Sequence, residues 1–153
     1  MIKRTKHFCY LFGIILAALA FNSCNDSDDY SGIPSEITEF LVHYYPNTAV
    51  ESFSHSGTVY HVILKNGPGF TFNYDCEWTD MEGYGMPFPQ VIMFDELPDA
   101  LYRYLEETEN TGSVFAVSRD ASHYTVDLLN STLTYSTDSG KITETFPAEG
   151  EQS

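Results

Sequence analysis

Basic residues are scarce in this chain: seven Lys and Arg stand against 22 Asp and Glu in 153 residues. Three of the seven, Lys3, Arg4 and Lys6, sit at the very start. Without residues 1–23 the chain keeps four basic residues against 22 acidic ones, a formal charge of −18. Nucleic acid is bound through basic patches that displace counterions, so that class of partner is excluded. Direct adsorption to an anionic lipid surface is excluded on the same ground. A basic protein, a cation, or solubility alone stays compatible with the charge. Cysteine is also scarce, with Cys9, Cys24 and Cys76 the full set, too few for a disulfide framework. Cys76 has no histidine near it in sequence to activate it and reads as a structural or idle thiol.

Catalytic signatures are missing too. His43, His55, His61 and His123 show no His-Glu-x-x-His spacing, and neither a Gly-x-Ser-x-Gly elbow nor a phosphate loop occurs. Carboxylates are abundant, but nothing in the sequence singles out a pair. The expectation is a chain that is not an enzyme, with no cofactor and no metal site.

One apolar run stands out. Phe8 to Ala20, roughly a dozen residues, follows the cationic start; it suits a signal-peptide core and is short for a transmembrane helix. It leads into Ala20-Phe21-Asn22-Ser23-Cys24, a small residue directly before a cysteine, which resembles a bacterial lipobox. On that reading residues 1–23 are removed and Cys24 is acylated, several acyl chains giving stable anchoring where one is marginal. Phe21 and Asn22 depart from the commonest pattern, and the alternative is an ordinary signal peptide with a nearby free cysteine. Residues 24–32 form an acidic tether. Asp26, Asp28 and Asp29 do not make an EF-hand loop, because Ser31 and Ile37 occupy the glycine and glutamate positions. An acidic tract directly after the cysteine resembles an export signal for the outer face of the outer membrane. The expected location is therefore an outer-membrane lipoprotein, displayed at the surface or facing the periplasm.

The remaining chain repeats itself at a spacing of 64. Ile33-Pro34 corresponds to Leu97-Pro98, Phe40-Leu41 to Tyr104-Leu105, and Val50 to Val114. Tyr60, Val62, Leu64 and Asn66 correspond to Tyr124, Val126, Leu128 and Asn130. After one deletion Phe70, Phe72 and Asp75 match Leu133, Tyr135 and Asp138. Ile37, Phe40, Leu41 and Tyr44 follow helical spacing, as do Leu97, Leu101, Tyr104 and Leu105. Val50–Ser54, Thr58–Leu64 and Phe70–Tyr74 alternate as strands, with counterparts Val114–Ser118, His123–Leu129 and Thr132–Thr137. The fold class expected is α+β: two helix–strand–strand–strand repeats forming an antiparallel sheet with helices on one face. Residues 33–78 and 95–145 are the repeats, 79–94 a connector, and 146–153 a disordered tail.

Tyr60-His61-Val62-Ile63-Leu64 with Phe70-Thr71-Phe72-Asn73-Tyr74-Asp75 is similar to the tandem PepSY-like lipoproteins. The second copy is Tyr124-Thr125-Val126-Asp127-Leu128 with Leu133-Thr134-Tyr135-Ser136-Thr137-Asp138. Trp78 sits where such repeats often carry Trp, and Ile142 stands near that place in the second copy. The resemblance spans about residues 33–145. It implies a fold akin to the beta-lactamase inhibitory protein and a role in binding or inhibiting envelope proteins.

A binding module is thus the expected function, its partner an envelope or extracellular protein or peptide. Inhibition of an envelope enzyme such as a protease is one form of that role. A passive structural lipoprotein, or one that binds a small ligand or cation, is the alternative. The sheet face opposite the Tyr-Val-Leu stripes should offer His61, Ile63, His123 and Thr125, the two histidines near-equivalent. Connector aromatics supply further anchors, Trp78, Tyr84 and Phe88 foremost, with Met81, Met86 and Phe94. Some of these should instead close the core, Phe94 being the strongest case.

Overall fold

Proline opens every helix of the described chain, residues 30–147 of a computed structural model. The leader, Cys24, most of the acidic tether and residues 148–153 lie outside the described residues. Pro34, Pro89 and Pro98 precede α1 (Ser35–Tyr44), α2 (Gln90–Glu96) and α3 (Asp99–Glu107) at φ −53, −58 and −55°. The ring holds φ where a helix begins, and no side-chain cap is made at any of the three. The proline carbonyls do the joining: Thr38 N–H donates to Pro34 and Tyr102 N–H to Pro98, both at 3.0 Å.

Eight strands follow one another in a meander, each antiparallel to the next. They are β1 (Val50–Ser56), β2 (Val59–Leu64), β3 (Gly69–Phe72), β4 (Trp78–Glu82), β5 (Val114–Arg119), β6 (His123–Leu128), β7 (Thr132–Ser136) and β8 (Ile142–Thr145). The two halves meet where Asp80, Met81 and Glu82 pair with Ser118, Val117 and Ala116, so one sheet runs through both. Equivalent bulges occur after Val50 and after Val114, at the repeat spacing. Trp78 pairs with Phe72 as Ile142 pairs with Tyr135, which puts the two side chains at matching places.

Alternation along the strands turns one face to the helices. Val62, Phe70, Met81, Val117, Val126 and Leu133 are paired neighbours on that face, all buried. They pack with Ile37 and Leu41 of α1, Ile92 and Met93 of α2, and Leu101 and Leu105 of α3 in a single core. Burial of each such side chain contributes about 1.5–3 kcal/mol.

The architecture is the α+β antiparallel sheet with helices that the repeats imply. Each half carries a fourth strand, however, and the expected boundary between 78 and 79 falls inside β4. The connector also holds α2. Tyr74, assigned to the third strand, lies 67% exposed in the turn after β3.

Tyr44 and Tyr45 close α1 against the core. Burial pushes the Tyr45 phenol up to about 12. Burial, then the hydrogen bond to Glu96, raises Tyr44 further above the usual tyrosine range, with added repulsion from Asp95. A group whose folded pKa exceeds its unfolded value stabilises the fold below the unfolded pKa, and that contribution disappears as pH rises through the folded value. The urea midpoint should therefore hold up to about pH 10 and fall above it. A Tyr44→Phe, Tyr45→Phe chain should show a shallower fall. Equal slopes would remove these two phenols as the cause.

Candidate functional site

The sheet face turned away from the helices is built mainly of small, polar and acidic side chains, with Ile63 the large aliphatic one of its two central rows. One row of cross-strand partners runs through all eight strands: Ser54, His61, Thr71, Asp80, Ser118, Thr125, Thr134 and Thr143. The row beside it is Ser52, Ile63, Gly69, Glu82, Ala116, Asp127, Thr132 and Thr145. Asp80, Glu82 and Asp127 are the formal charges of these two rows, so the face is negative. Gly69 and Ala116 flank Glu82 and leave its carboxylate above a floor of backbone and methyl.

A cleft of about 250 Å³ opens on this face across β2, β3 and β4, lined by His61, Ile63, Gly69, Thr71, Asp80, Glu82 and Tyr84. Tyr84 reaches it from the turn after β4. Gly83 C=O accepts the Met86 N–H at 3.0 Å, and Tyr84 and Gly85 between them have φ +50 and +85°. Two positive φ values at the centre define the type I′ turn geometry, unusual for a bulky residue such as Tyr. The turn is held from outside by Gly83 N–H donating to Phe115 C=O of β5 at 2.8 Å. Tyr84 N–H donates to Glu82 Oε1 at 3.2 Å, and the Tyr84 ring lies across Gly69. His61 Nδ1 and Thr71 Oγ1 are 3.2 Å apart.

Two larger hollows carry less chemistry. One, of about 290 Å³, lies against the β2–β3 turn with Tyr45, Phe88, three prolines and two glycines among its walls, Lys65 its one charge. The other, of about 430 Å³, is an open depression at the β6–β7 turn. The cleft on the open face is the candidate site because carboxylates, an imidazole, a hydroxyl and an aromatic ring converge there.

Of the residues singled out in the sequence, His61, Ile63 and Tyr84 come together in this cleft, and Thr125 lies in the same row as His61. Trp78 and Phe88 do not join them. Both are 3% exposed and belong to the core, which takes them off the accessible surface as anchors. Trp78 is held from both sides: Nε1–H donates to Glu96 Oε2 at 2.6 Å, and the Arg119 guanidinium lies 4.0 Å from its ring. Met81 is likewise core, whereas Met86 is exposed. Phe94, the connector residue with the strongest claim on the core, is 65% exposed. Ile92 and Met93 take the inward side of α2, and Phe94 rests edge-on against Tyr102 at 5.3 Å.

The two histidines are not equivalents. Register makes Thr125 the counterpart of His61, since each is paired with the threonine of the following strand. His123 stands one step out, at the β5–β6 turn, with Nδ1 2.9 Å from Ser122 Oγ and its N–H donating to Asp120 Oδ1 at 2.8 Å. Backbone donors from Ser122 and His123 hold the Asp120 carboxyl below the usual carboxylate range. That histidine organises a turn. Cys76, half-buried in the β3–β4 turn, has its thiol pKa pushed up by burial and then by Glu36 and Asp75, which keeps it a weak nucleophile. Lipidation of Cys24 falls outside the described residues.

Asp80 and Glu82 escaped the sequence reading. Thr71 pairs with Asp80 and Phe72 with Trp78, so Thr79 is an extra residue in β4. The bulge breaks the period-2 alternation that would have marked a strand.

The molecule is an α+β protein whose open eight-stranded antiparallel sheet is covered on one side by three helices. Solved structures share this fold. One, from Bacteroides vulgatus and described as a periplasmic protein of unknown function, matches at TM-score 0.63 and 20% identity, over 77% of this chain and 95% of that one. A DUF2874-family protein of the same species, also described as periplasmic, matches at TM-score 0.59 and 20% identity, over 72% and 87%. A Bacteroides thetaiotaomicron protein described as calcium-regulated and periplasmic matches at TM-score 0.59 and 21% identity, over 73% and 91%. At these identities the likeness is one of fold. No protein-family model and no curated protein sequence matches the chain.

Proposed function

We propose that this chain is a lipid-anchored envelope protein whose open sheet face is a non-enzymatic docking surface for a basic protein or peptide. One observation carries the reading: two rows of side chains, small, polar or acidic at every position but Ile63, cross all eight strands, with an exposed Tyr84 at their edge. The negative charge of such a face selects for positive partners. The leader and the Ser23-Cys24 junction support anchoring through Cys24, and the acidic tether favours surface display. The resemblance to the tandem PepSY-like lipoproteins supports an envelope binding role, inhibition of an envelope enzyme such as a protease included. The description of the fold neighbours as periplasmic agrees with an envelope location.

A cation is the second reading, since one fold neighbour is described as calcium-regulated. Asp80 and Glu82 supply two side chains where calcium takes about 6–8 oxygen ligands. Among the described residues no group of three or more His, Cys, Asp or Glu is placed to hold a metal ion. Docking of a basic partner is therefore preferred.

The test is capture from the envelope fraction of the cells that make the protein. Ser118 lies mid-face between Asp80 and Thr125, so Ser118→Arg should block docking by bulk and charge. Phe94→Ser, on the helix side, should leave it intact. A protein retained by the native chain and by Phe94→Ser, and lost with Ser118→Arg, is the expected result. Loss with Phe94→Ser alone would move the surface to the helices and end this reading.

A further inference from the structure

The cleft beside Tyr84 has a narrower chemistry than the face around it. Its floor is Gly69, where a Cβ would lie 2.7 Å from the Tyr84 hydroxyl and 3.1 Å from the ring. The missing side chain is what lets the phenol lie across β3. Asp80 and Glu82 stand one strand over, two residues apart on the same face, which separates their Cα atoms by about 7 Å. Each carboxylate has one oxygen engaged. Asp80 Oδ2 accepts the Thr79 hydroxyl at 2.8 Å, and Glu82 Oε1 accepts the Tyr84 N–H at 3.2 Å. Among the described residues the second oxygen of each has no partner. The volume, about 250 Å³, falls below the about 300–1,000 Å³ of small-molecule pockets, and so suits one long side chain better than a free metabolite.

We propose that this cleft is a subsite for an arginine side chain presented by the partner that docks on the open face. The guanidinium lies between Asp80 and Glu82, donating to both, and the aliphatic stem lies along the Tyr84 ring. A planar fork with five donors can serve two separated carboxylates while the stem behind it covers an aromatic ring; a lysine ammonium meets one of them as a point charge. Elsewhere in the molecule an arginine already combines an aromatic face with a hydrogen bond, Arg119 lying over Trp78 while its Nε–H donates to the Trp78 carbonyl at 2.7 Å. Charge sets the class of occupant. A second copy of this chain, with 22 acidic residues against seven basic ones, is repelled, whereas a basic segment is attracted.

The inference rests on the docking reading, and its test separates the two. The full chain, purified in detergent, is titrated with a blocked Gly-Ser-Arg-Ser-Gly peptide and followed through its backbone amide resonances. Saturable shifts at Thr71, Asp80 and Glu82 are expected. A citrulline peptide of the same shape, or the Asp80→Asn, Glu82→Gln chain, should bind at least about tenfold more weakly through loss of charge-assisted bonds. Glu106→Gln, exposed on α3 on the helix side of the sheet, should stay within about twofold. No saturable shift for the arginine peptide, equal binding of citrulline, or an equal loss with Glu106→Gln would each overturn the subsite. If the peptide fails while Ser118→Arg still abolishes capture, the arginine subsite falls and the docking face stands. If the peptide binds as expected while Ser118→Arg captures as well as the native chain, the subsite stands and the wider face falls.

Discussion

Replacing Glu96 by alanine should lower the stability of the fold by about 3 kcal/mol, from loss of two hydrogen bonds to a charged acceptor. The carboxylate at the end of α2 accepts the Trp78 indole N–H on one oxygen and the Tyr44 hydroxyl on the other, both at 2.6 Å. It thereby ties β4 to α1 across the seam between helices and sheet. Removal leaves the indole N–H of a residue only 3% exposed without its acceptor, and a buried donor without a partner costs more than the bond itself contributed. Glu96→Gln retains an acceptor oxygen for one donor and should lose about half as much. The urea midpoint and slope of the three chains decide the matter. A loss under about 1 kcal/mol for Glu96→Ala would mean that water replaces the carboxylate at little cost.

Gly83→Ala should be comparably damaging for a different reason. A Cβ there would run into the Met86 carbonyl oxygen and lie 2.8 Å from that of Phe115, and both are backbone atoms that cannot rotate aside. Relief requires opening the Tyr84–Gly85 turn or breaking the 2.8 Å bond from Gly83 N–H to Phe115. The expected cost is about 3 kcal/mol, the upper part of the range for overpacked sites. It should come with movement of Tyr84 off Gly69. Unchanged stability together with an unchanged Tyr84 resonance would show that the turn yields freely, and would weaken the case for a preformed cleft.

The stretches with unbroken periodicity were legible in the sequence. Ile37, Phe40, Leu41 and Tyr44 marked α1, and Tyr60-Val62-Leu64 with its counterpart marked β2 and β6, to within a residue or two of the observed ends. Repetition supplied the register of one half from the other. Where periodicity was interrupted, the reading stopped. β4 carries its bulge at Thr79, and α2 spans only seven residues between Pro89 and the Leu97-Pro98 step, too short to show a stripe. Aromatic residues misled for another reason. Composition marks Trp78 and Phe88 as anchors and Phe94 as core, but which side of a strand or short helix a ring takes is decided by neighbours elsewhere in the chain. Trp78 went inward because Glu96 and Arg119 meet it there, and Phe94 outward because Ile92 and Met93 had taken the inner side.

Half of the candidate site could be named in advance for the same cause. His61 and Ile63 follow from alternation along β2, and Tyr84 from its aromatic character in a Gly-rich turn. Asp80, Glu82 and the Gly69 floor depend on pairing between β3 and β4, which no local pattern announces. Thr125 lies on the face expected of it, and the spacing of 64 already makes it the counterpart of His61, in agreement with the register.

The central claim is that partners meet the open face of the sheet. A photo-reactive amino acid placed at Ser118, in the middle of that face, and separately at Phe94, on the helix side, tests it in the cells that make the protein. Cross-links to a distinct protein from position 118 and none from 94 are the predicted result. Cross-links from 94 with none from 118 would contradict it.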